Sequence, residues 1–76
     1  MSYRDAGALL RGLRIGRGLK QAYVADRAGM AQSCLSEIEH GKRKPNLGTL
    51  ERVASALSYR LVVSFEPIDD AGLPKR

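Results

Sequence analysis

The sequence is poor in the residues that small domains use for covalent staples, metal sites and catalysis. Its 76 residues include one cysteine, Cys34, one histidine, His40, and no tryptophan. A single cysteine excludes an internal disulfide framework and a cysteine-based zinc site, and no glycine-rich phosphate loop is present. No apolar run approaches the roughly 20 residues that cross a bilayer. We therefore expect a cytoplasmic protein with no enzymatic activity, no cofactor, no metal and no membrane contact.

A chain of this length allows one domain with a small core. Domains of about 60 residues bury only about 60% of their unfolded surface and are marginally stable alone. The only aromatic residues are three tyrosines and one phenylalanine, so the core has to be built from aliphatic side chains. Association with a second copy is therefore expected from size alone.

Positive charge is concentrated in the first 60 residues. They contain 11 Lys and Arg against 5 Asp and Glu, a net charge of +6, whereas residues 61–76 contain 2 bases and 3 acids, a net charge of −1. A small domain with a basic body and a nearly neutral end favours a polyanionic partner such as double-stranded DNA.

Apolar spacing and helix-stop residues predict four helices, over residues 4–17, 20–28, 32–40 and 47–57. Gly18, Gly29 and Gly41 each follow one of the first three helices, which is typical of a helix C-terminus. Asn46 is a favoured N-cap residue for the fourth helix. The fold class predicted for residues 4–57 is therefore all-α.

The hydrophobic pattern changes from a helical to an alternating period near residue 60. Leu61, Val63 and Phe65 alternate with Val62 and Ser64, which predicts a strand over residues 60–66. A lone strand leaves its backbone groups unpaired, and no second strand is predicted in this chain. We therefore expect residues 58–67 to pair with the same segment of a second copy in a homodimer, followed by a flexible tail over residues 68–76.

The second and third predicted helices are joined by a tight turn, Gly29-Met30-Ala31, and have the arrangement of a helix-turn-helix. In that arrangement one helix enters the major groove of DNA while its neighbour lies across the backbone. The outer side of the third helix is polar: Gln32 can pair with adenine, Ser33 can donate or accept a hydrogen bond, and Glu37 can accept one from a cytosine amino group. A carboxylate on that side is either a specificity element or a sign that another face meets the DNA.

Residues 9–57 resemble the lambda-repressor-like helix-turn-helix proteins of Cro/C1 type, also called the xenobiotic-response-element family. The sequence aligns with the family pattern without gaps. The resemblance rests on motifs at fixed spacing: Leu13-Arg14, Gly18-Leu19-Lys20-Gln21, Val24-Ala25, Ala28-Gly29-Met30, Leu35-Ser36-Glu37-Ile38-Glu39, Gly41-Lys42-Arg43-Lys44-Pro45 and Thr49-Leu50. It implies a sequence-specific transcriptional repressor of a bacterium or phage, associated with the nucleoid, that binds an inverted-repeat operator as a homodimer.

The same resemblance implies roles for individual residues. Its base-reading positions are Gln32, Ser33, Ser36 and Glu37. The phosphate-binding residues that we expect are Gln21, Arg17, Lys20, Lys42, Arg43, Lys44 and Asn46. Arg14 and Glu39 match a structural ion pair between the first helix and the reading helix.

Two features depart from the family pattern. Lys20 and Ala31 occupy positions where Ser or Thr usually caps the second and third helices, which costs about 0.5–2 kcal/mol for each lost cap. The segment after residue 57 resembles the strand ending of HipB-type antitoxins, which dimerise through paired strands. Two alternatives therefore accompany the repressor interpretation: an antitoxin that also binds a cognate toxin, and a protein-interaction module that shares the fold without binding DNA.

Overall fold

The computed structural model describes residues 6–69 and 72–74 and contains four helices within them. They are α1 (Ala6–Gly16), α2 (Gln21–Arg27), α3 (Gln32–Glu39) and α4 (Leu47–Ala56). Each falls inside a range predicted from the sequence, so the all-α prediction is confirmed; residues 4 and 5 of the first range lie outside the described residues. The longest helix has 11 residues, and none in the described ranges is long and apolar enough to span a bilayer.

An aliphatic core holds the four helices together. Its largest fully buried side chains are Val24 of α2, Leu35 and Ile38 of α3, Val53 of α4, and Leu57 just after α4. Burying each such side chain contributes about 1.5–3 kcal/mol. Because isolated helices shorter than about 12–15 residues are marginal in water, this packing is what keeps α2 and α3 folded.

Two leucines that continue the apolar spacing of their helices are exposed. Leu9 of α1 is 43% exposed and Leu47 of α4 is 53% exposed. Both line an apolar groove of about 580 Å³ between α1 and α4. Periodicity identifies the apolar side of a helix, but it does not tell whether the edge of that side is covered within the same chain.

All four helices end in the same hydrogen-bonded motif, in which two residues beyond the helix donate back to carbonyls of its last turn. After α2, Met30 N–H donates to the Ala25 carbonyl (3.0 Å) and Gly29 N–H donates to the Asp26 carbonyl (3.1 Å). Gly29 has φ 71°, a conformation that costs a residue with a side chain about 1–2 kcal/mol. Ser58 occupies the equivalent position after α4 with φ 63°.

Close backbone approach fixes α1 against α3. A Cβ atom at Gly7 would overlap the carbonyl oxygen of Ile38, and Gly7 is itself buried. Any side chain at this position would therefore push α1 away from the end of α3. This contact explains why α1 tolerates a residue that costs about 1 kcal/mol relative to alanine in a helix interior.

The helix starts differ in the way that the sequence predicted. Lys20 and Ala31 stand at the N-caps of α2 and α3, and neither makes a side-chain capping hydrogen bond. Asn46 caps α4, since its Oδ1 accepts a hydrogen bond from the backbone N–H of Thr49 at 2.8 Å.

The strand predicted over residues 60–66 is not formed in the single chain. Residues 59–69 lie in neither a helix nor a strand, because a strand requires a partner and the described part of the chain offers none. Leu61 packs against the core, but Val62 is 78% exposed and Phe65 is 98% exposed. Residues 68, 69 and 72–74 of the predicted tail are exposed, and its remaining residues lie outside the described ranges.

Candidate nucleic-acid interface

The outer side of α3 is polar and accessible along its whole length. Gln32 and Ser33 are exposed, and Ser36 and Glu37 are half-buried. Ser33 and Glu37 are four residues apart and are therefore neighbours on one face of the helix. The four residues predicted to read bases thus share the side of α3 that points away from the core.

A buried ion pair anchors the C-terminal end of α3 to the rest of the fold. The Glu39 side chain is 1% exposed. Its Oε2 accepts a hydrogen bond from Nε of Arg14 at 2.8 Å, and its Oε1 accepts one from Nη2 of Arg14 at 3.0 Å. A third donor of Arg14, Nη1, reaches the carbonyl oxygen of Leu19 at 2.9 Å. The predicted ion pair is therefore present as a two-point contact that ties α3 to α1 and to the start of α2.

The hydrogen bonds to Glu39 raise the pKa of Arg14, and its partial burial opposes that shift. The carboxylate also stays compensated, since no buried side-chain polar atom in the described residues lacks a partner. Buried charges are tolerated only when they are paired in this way.

Two glutamines extend this cluster from the core to the surface. Nε2 of Gln21 donates to Oε1 of Glu39 at 3.1 Å, and Nε2 of Gln32 donates to Oε1 of Gln21 at 3.3 Å. The first residue of α3 is therefore connected to the buried ion pair through a single side chain. From the sequence, Gln21 was assigned a phosphate-binding role, and its contacts with Glu39 and Gln32 were not predicted.

A second glutamate of α3 holds a second arginine at the surface. Oε1 of Glu37 accepts hydrogen bonds from Nη2 of Arg43 at 3.1 Å and from Nε of Arg43 at 3.4 Å. The two side chains are 46% and 54% exposed, respectively. The hydrogen bonds to Glu37 are the main cause of a raised pKa of Arg43. Sequence reasoning placed these residues at separate contacts with DNA and missed the ion pair.

Further cations lie close to α3 in the chain. Lys42 and Lys44 are exposed in the loop that follows α3, and this loop ends at the buried Pro45. Lys20 is exposed at the start of α2, and Asn46 is exposed at the start of α4. The chain directly after α3 therefore carries exposed positive charge.

This arrangement of helices agrees with the comparison to known proteins. Residues 10–63 match the helix-turn-helix family. The chain belongs to the Cro/C1-type helix-turn-helix family. The helix-turn-helix unit consists of α2, the turn at residues 28–31, and α3, and the family is one of transcriptional regulators rather than enzymes.

Relatives of the helix-turn-helix domain occur in bacteria and phages. The chain is 40% identical over 58 residues to an uncharacterized HTH-type transcriptional regulator of Sinorhizobium fredii, covering 76% of this chain and 75% of that protein. It is 36% identical over 55 residues to the immunity repressor protein of Bacillus phage phi105, covering 72% and 38%.

Some relatives are much longer than the shared domain. An uncharacterized HTH-type transcriptional regulator of Mycobacterium tuberculosis is 36% identical over 73 residues, covering 88% of this chain but 28% of the relative. The resemblance to that regulator therefore concerns its helix-turn-helix portion.

Arg17, which we predicted to contact phosphate, contacts residues outside the helix-turn-helix unit. Its guanidinium lies over the ring of Tyr59, 4.3 Å from the centroid, and its Nη2 donates to the carbonyl oxygen of Ser58 at 3.5 Å. Arg17 therefore joins the end of α1 to the residues that follow α4.

Among the residues that the structure describes, Cys34 and His40 do not form part of another site. Cys34 is half-buried in the first turn of α3. His40 is exposed at its end, with Nδ1 2.8 Å from the carbonyl oxygen of Ser36. Within residues 6–69 and 72–74, no group of three or more metal-ligating side chains is found.

Proposed function

We propose that this protein is a sequence-specific repressor that binds an inverted-repeat operator in double-stranded DNA as a homodimer. The observation that carries the proposal is the two-sided construction of α3. Its outer side presents polar side chains beside a cationic loop, and its inner side is fixed by the Arg14–Glu39 ion pair. A helix held rigidly from behind can present side chains to base edges in a defined geometry.

The base-reading role is assigned to Gln32, Ser33, Ser36 and Glu37. The major groove is about 12 Å wide and accepts one helix. Recognition helices of this type contact base edges mainly through their N-terminal residues. Gln32 and Ser33 stand there, and the bond from Gln32 to Gln21 restricts the amide before DNA arrives.

The phosphate-binding role is assigned to residues around the ends of α3. They are Gln21, Lys20, Lys42, Arg43, Lys44 and Asn46. Contacts of basic and amide side chains with phosphates fix the register of a protein on DNA without reading sequence. The phosphate-binding role predicted for Arg17 is tested separately, because its side chain packs on Tyr59.

Dimer formation is supported by the apolar residues after α4. Val62, Val63, Phe65 and Ile68 are 78%, 57%, 98% and 97% exposed. The backbone beside them lies in neither a helix nor a strand, so its N–H and C=O groups are available to pair with the same segment of a second copy. That segment is the proposed dimer strand, comprising Leu61, Val62, Val63, Ser64 and Phe65.

The proposed strand supplies part of the apolar area that a stable dimer needs. Burying one such side chain removes on the order of 60–120 Å² of apolar surface. The three within the proposed strand, Val62, Val63 and Phe65, remove about 360–720 Å² from the two copies when both faces of the paired strands are covered, and interfaces of standard size bury about 1,200–2,000 Å² in total, of which somewhat more than half is apolar. The groove containing Leu9 and Leu47 adjoins the segment and adds further apolar surface.

DNA binding is tested by selecting bound duplexes from a random pool and titrating the selected duplex against salt. If each copy neutralises about four phosphates, the slope of log K against log[salt] is about −7 for the dimer, from about −0.9 per phosphate. The selected sequence should contain two half-sites about 34 Å apart, related by inverted symmetry. A slope near zero, or no enriched sequence, contradicts the proposal.

Dimerisation is tested by sedimentation of the whole chain and of Phe65→Asp at micromolar concentration. The parent should sediment as a dimer and the variant as a monomer. Lys44→Asp is a matched control, since it introduces the same side chain into the cationic loop and should leave the dimer intact. A monomeric parent contradicts the paired strands.

The antitoxin alternative is favoured by the same exposed segment, which a protein partner could cover in place of a second copy. A HipB-like antitoxin would form the dimer and also bind a cognate toxin. Coexpression with the products of neighbouring genes distinguishes the two, because only the antitoxin forms a stable complex with one of them. A module that binds a protein and no DNA would fail the selection experiment above.

A further inference from the structure

Glu37 presents an electrostatic problem that the proposed function alone does not resolve. It lies on the side of α3 assigned to the DNA, where phosphates repel a carboxylate. A charge that is desolvated at an interface without compensation costs affinity. The structure has to provide either a reason for Glu37 to avoid the DNA or a group that neutralises it there.

Arg43 supplies the neutralising group and is held in place to do so. Its Nε and Nη2 both reach one oxygen of Glu37. The backbone of the loop is attached to the same residue, since the N–H groups of Lys42 and Arg43 donate to the Glu37 carbonyl at 2.8 Å and 3.2 Å. Glu37 therefore fixes both the main chain and the side chain of Arg43.

The hydrogen bonds between Glu37 and Arg43 use only part of the donors and acceptors of the two side chains. Both observed bonds converge on Oε1 of Glu37 and use two of the nitrogens of Arg43. A guanidinium carries five N–H donors and a carboxylate about four lone-pair sites. With about half of each side chain exposed, Arg43 can donate to a phosphate while Glu37 accepts from a base.

We propose that Glu37 and Arg43 act as one recognition unit, in which Glu37 orients Arg43 toward a phosphate and, neutralised by it, accepts a hydrogen bond from the exocyclic amino group of cytosine or adenine. The unit makes a backbone contact dependent on the base beside it. Arg43 thus becomes a specificity-determining residue rather than a uniform electrostatic contact. This inference rests on the proposed DNA-binding function.

A double-mutant cycle on the selected operator tests the unit. The variants are Glu37→Gln, Arg43→Gln and the double variant. Replacing Arg43 alone should weaken binding strongly, because it removes a phosphate contact and leaves Glu37 uncompensated. With Gln at position 37, the same replacement removes only the phosphate contact. We expect the two losses to differ by about fivefold or more, a coupling typical of residues in direct contact.

The matched control is the cycle of Glu37→Gln with Lys42→Gln. Lys42 precedes Arg43 in the same loop and is exposed. Its replacement should weaken binding by a similar factor whether Glu or Gln stands at position 37. This control distinguishes a specific coupling between Glu37 and Arg43 from the general loss of affinity that follows when any positive charge is removed from the loop.

A second measurement follows the base preference of each variant over single base-pair changes in the operator. The parent should prefer an amino-bearing base at one position of each half-site, and Arg43→Gln should reduce that preference. A purely structural role of Arg43 would lower affinity for all operators by the same factor. Melting temperatures of the four proteins confirm that each is folded.

The outcomes separate this inference from the proposed function. If the parent binds its operator with a steep salt slope but the two Arg43→Gln losses are equal and base preferences are unchanged, the unit is refuted and the function stands. If the parent binds no duplex at all, both are refuted. Unequal losses together with a reduced base preference support the unit.

Discussion

Two glutamates of the same helix, two residues apart, hold two arginines under opposite conditions. Glu39 is 1% exposed and binds Arg14 through both oxygens, whereas Glu37 is 46% exposed and binds Arg43 through one. The first pair joins α3 to the core, and the second faces solvent beside the cationic loop. The same chemistry therefore supports the fold on one side of α3 and is available to a ligand on the other.

Both pairs consist of a glutamate and an arginine, so they differ in burial and not in residue type. Burial decides what each pair contributes to stability. An exposed ion pair contributes little to stability because water screens it and its side chains lose entropy. A buried pair contributes little relative to an apolar pair, yet breaking it is costly because one charge is left without compensation. We therefore expect substitutions at Glu39 to affect folding and substitutions at Glu37 to affect binding.

The largest expected effect is that of Glu39→Ala. It leaves Arg14 without its carboxylate in a partly buried site, which should lower the free energy of unfolding by about 3 kcal/mol. For a domain of this size that corresponds to a melting temperature lower by about 15 °C. Thermal unfolding followed by circular dichroism measures the change.

Glu37→Ala is the matched control for that experiment. It removes the same side chain from the same helix and should shift the melting temperature by less than about 4 °C. Similar shifts for the two variants would contradict the division between a structural and a ligand-facing side of α3.

The next largest effect concerns Gln32→Ala, which removes the surface end of the buried cluster. We expect operator affinity to fall by about 1–3 kcal/mol, with relaxed preference at one base pair of each half-site. The melting temperature should change little, because Gln32 is exposed. Binding titrations on single base-pair variants measure both changes, and an equal loss on every duplex would count against base reading.

A smaller effect is expected when both members of the buried pair are replaced by apolar residues. The double variant Arg14→Met/Glu39→Leu leaves no uncompensated charge, so its free energy of unfolding should lie within about 1–2 kcal/mol of the parent and above that of Glu39→Ala. Denaturant unfolding measures the values. A double variant less stable than Glu39→Ala would contradict the expectation that the uncompensated charge of Arg14 is the main cost of losing Glu39.

The smallest effect is expected for Arg17→Ala, which removes the cation over the ring of Tyr59. An exposed contact of this kind contributes about 0.5–1 kcal/mol to the free energy of unfolding. Denaturant unfolding measures the loss, and Arg11→Ala on the exposed side of α1 provides the control.

The salt dependence of operator binding by the same two variants tests the phosphate role predicted for Arg17. A slope smaller by about 0.9 than that of the control supports the role, and an unchanged slope contradicts it.

Most of the fold was predictable because its signals are local. Gly18, Gly29 and Gly41 mark helix ends, and all three have positive φ in the structure. The equivalent end after α4 has Ser58, which carries no such signal. All four predicted ranges nevertheless end one residue beyond the observed helices, so the end of α4 was predicted as closely from its apolar spacing as the other three ends were from their glycines.

The ion pairs were predictable to different degrees for a physical reason. Arg14 and Glu39 are 25 residues apart, and only the family resemblance connected them. Glu37 and Arg43 are six residues apart across a helix end, a separation that follows no helical period. Pairing across such a turn depends on the path of the loop, which side-chain spacing does not encode.

The strand depends on a partner that a single sequence does not contain. Alternation in residues 60–66 predicts which side chains would lie on one face, but hydrogen bonding decides whether a strand forms. In the single chain Phe65 is 98% exposed, so pairing of this segment with a second copy stays a prediction.

The most direct test of the account maps the DNA-contacting surface by NMR, with the selected operator titrated into the labelled full chain. We expect the largest amide and side-chain shift changes at Gln32, Ser33, Ser36 and Glu37 and in the loop at residues 42–46. Core signals such as those of Val24 should change little. Changes confined to the exposed segment at residues 59–69, with α3 unaffected, would contradict the assignment of α3 as the helix that reads DNA.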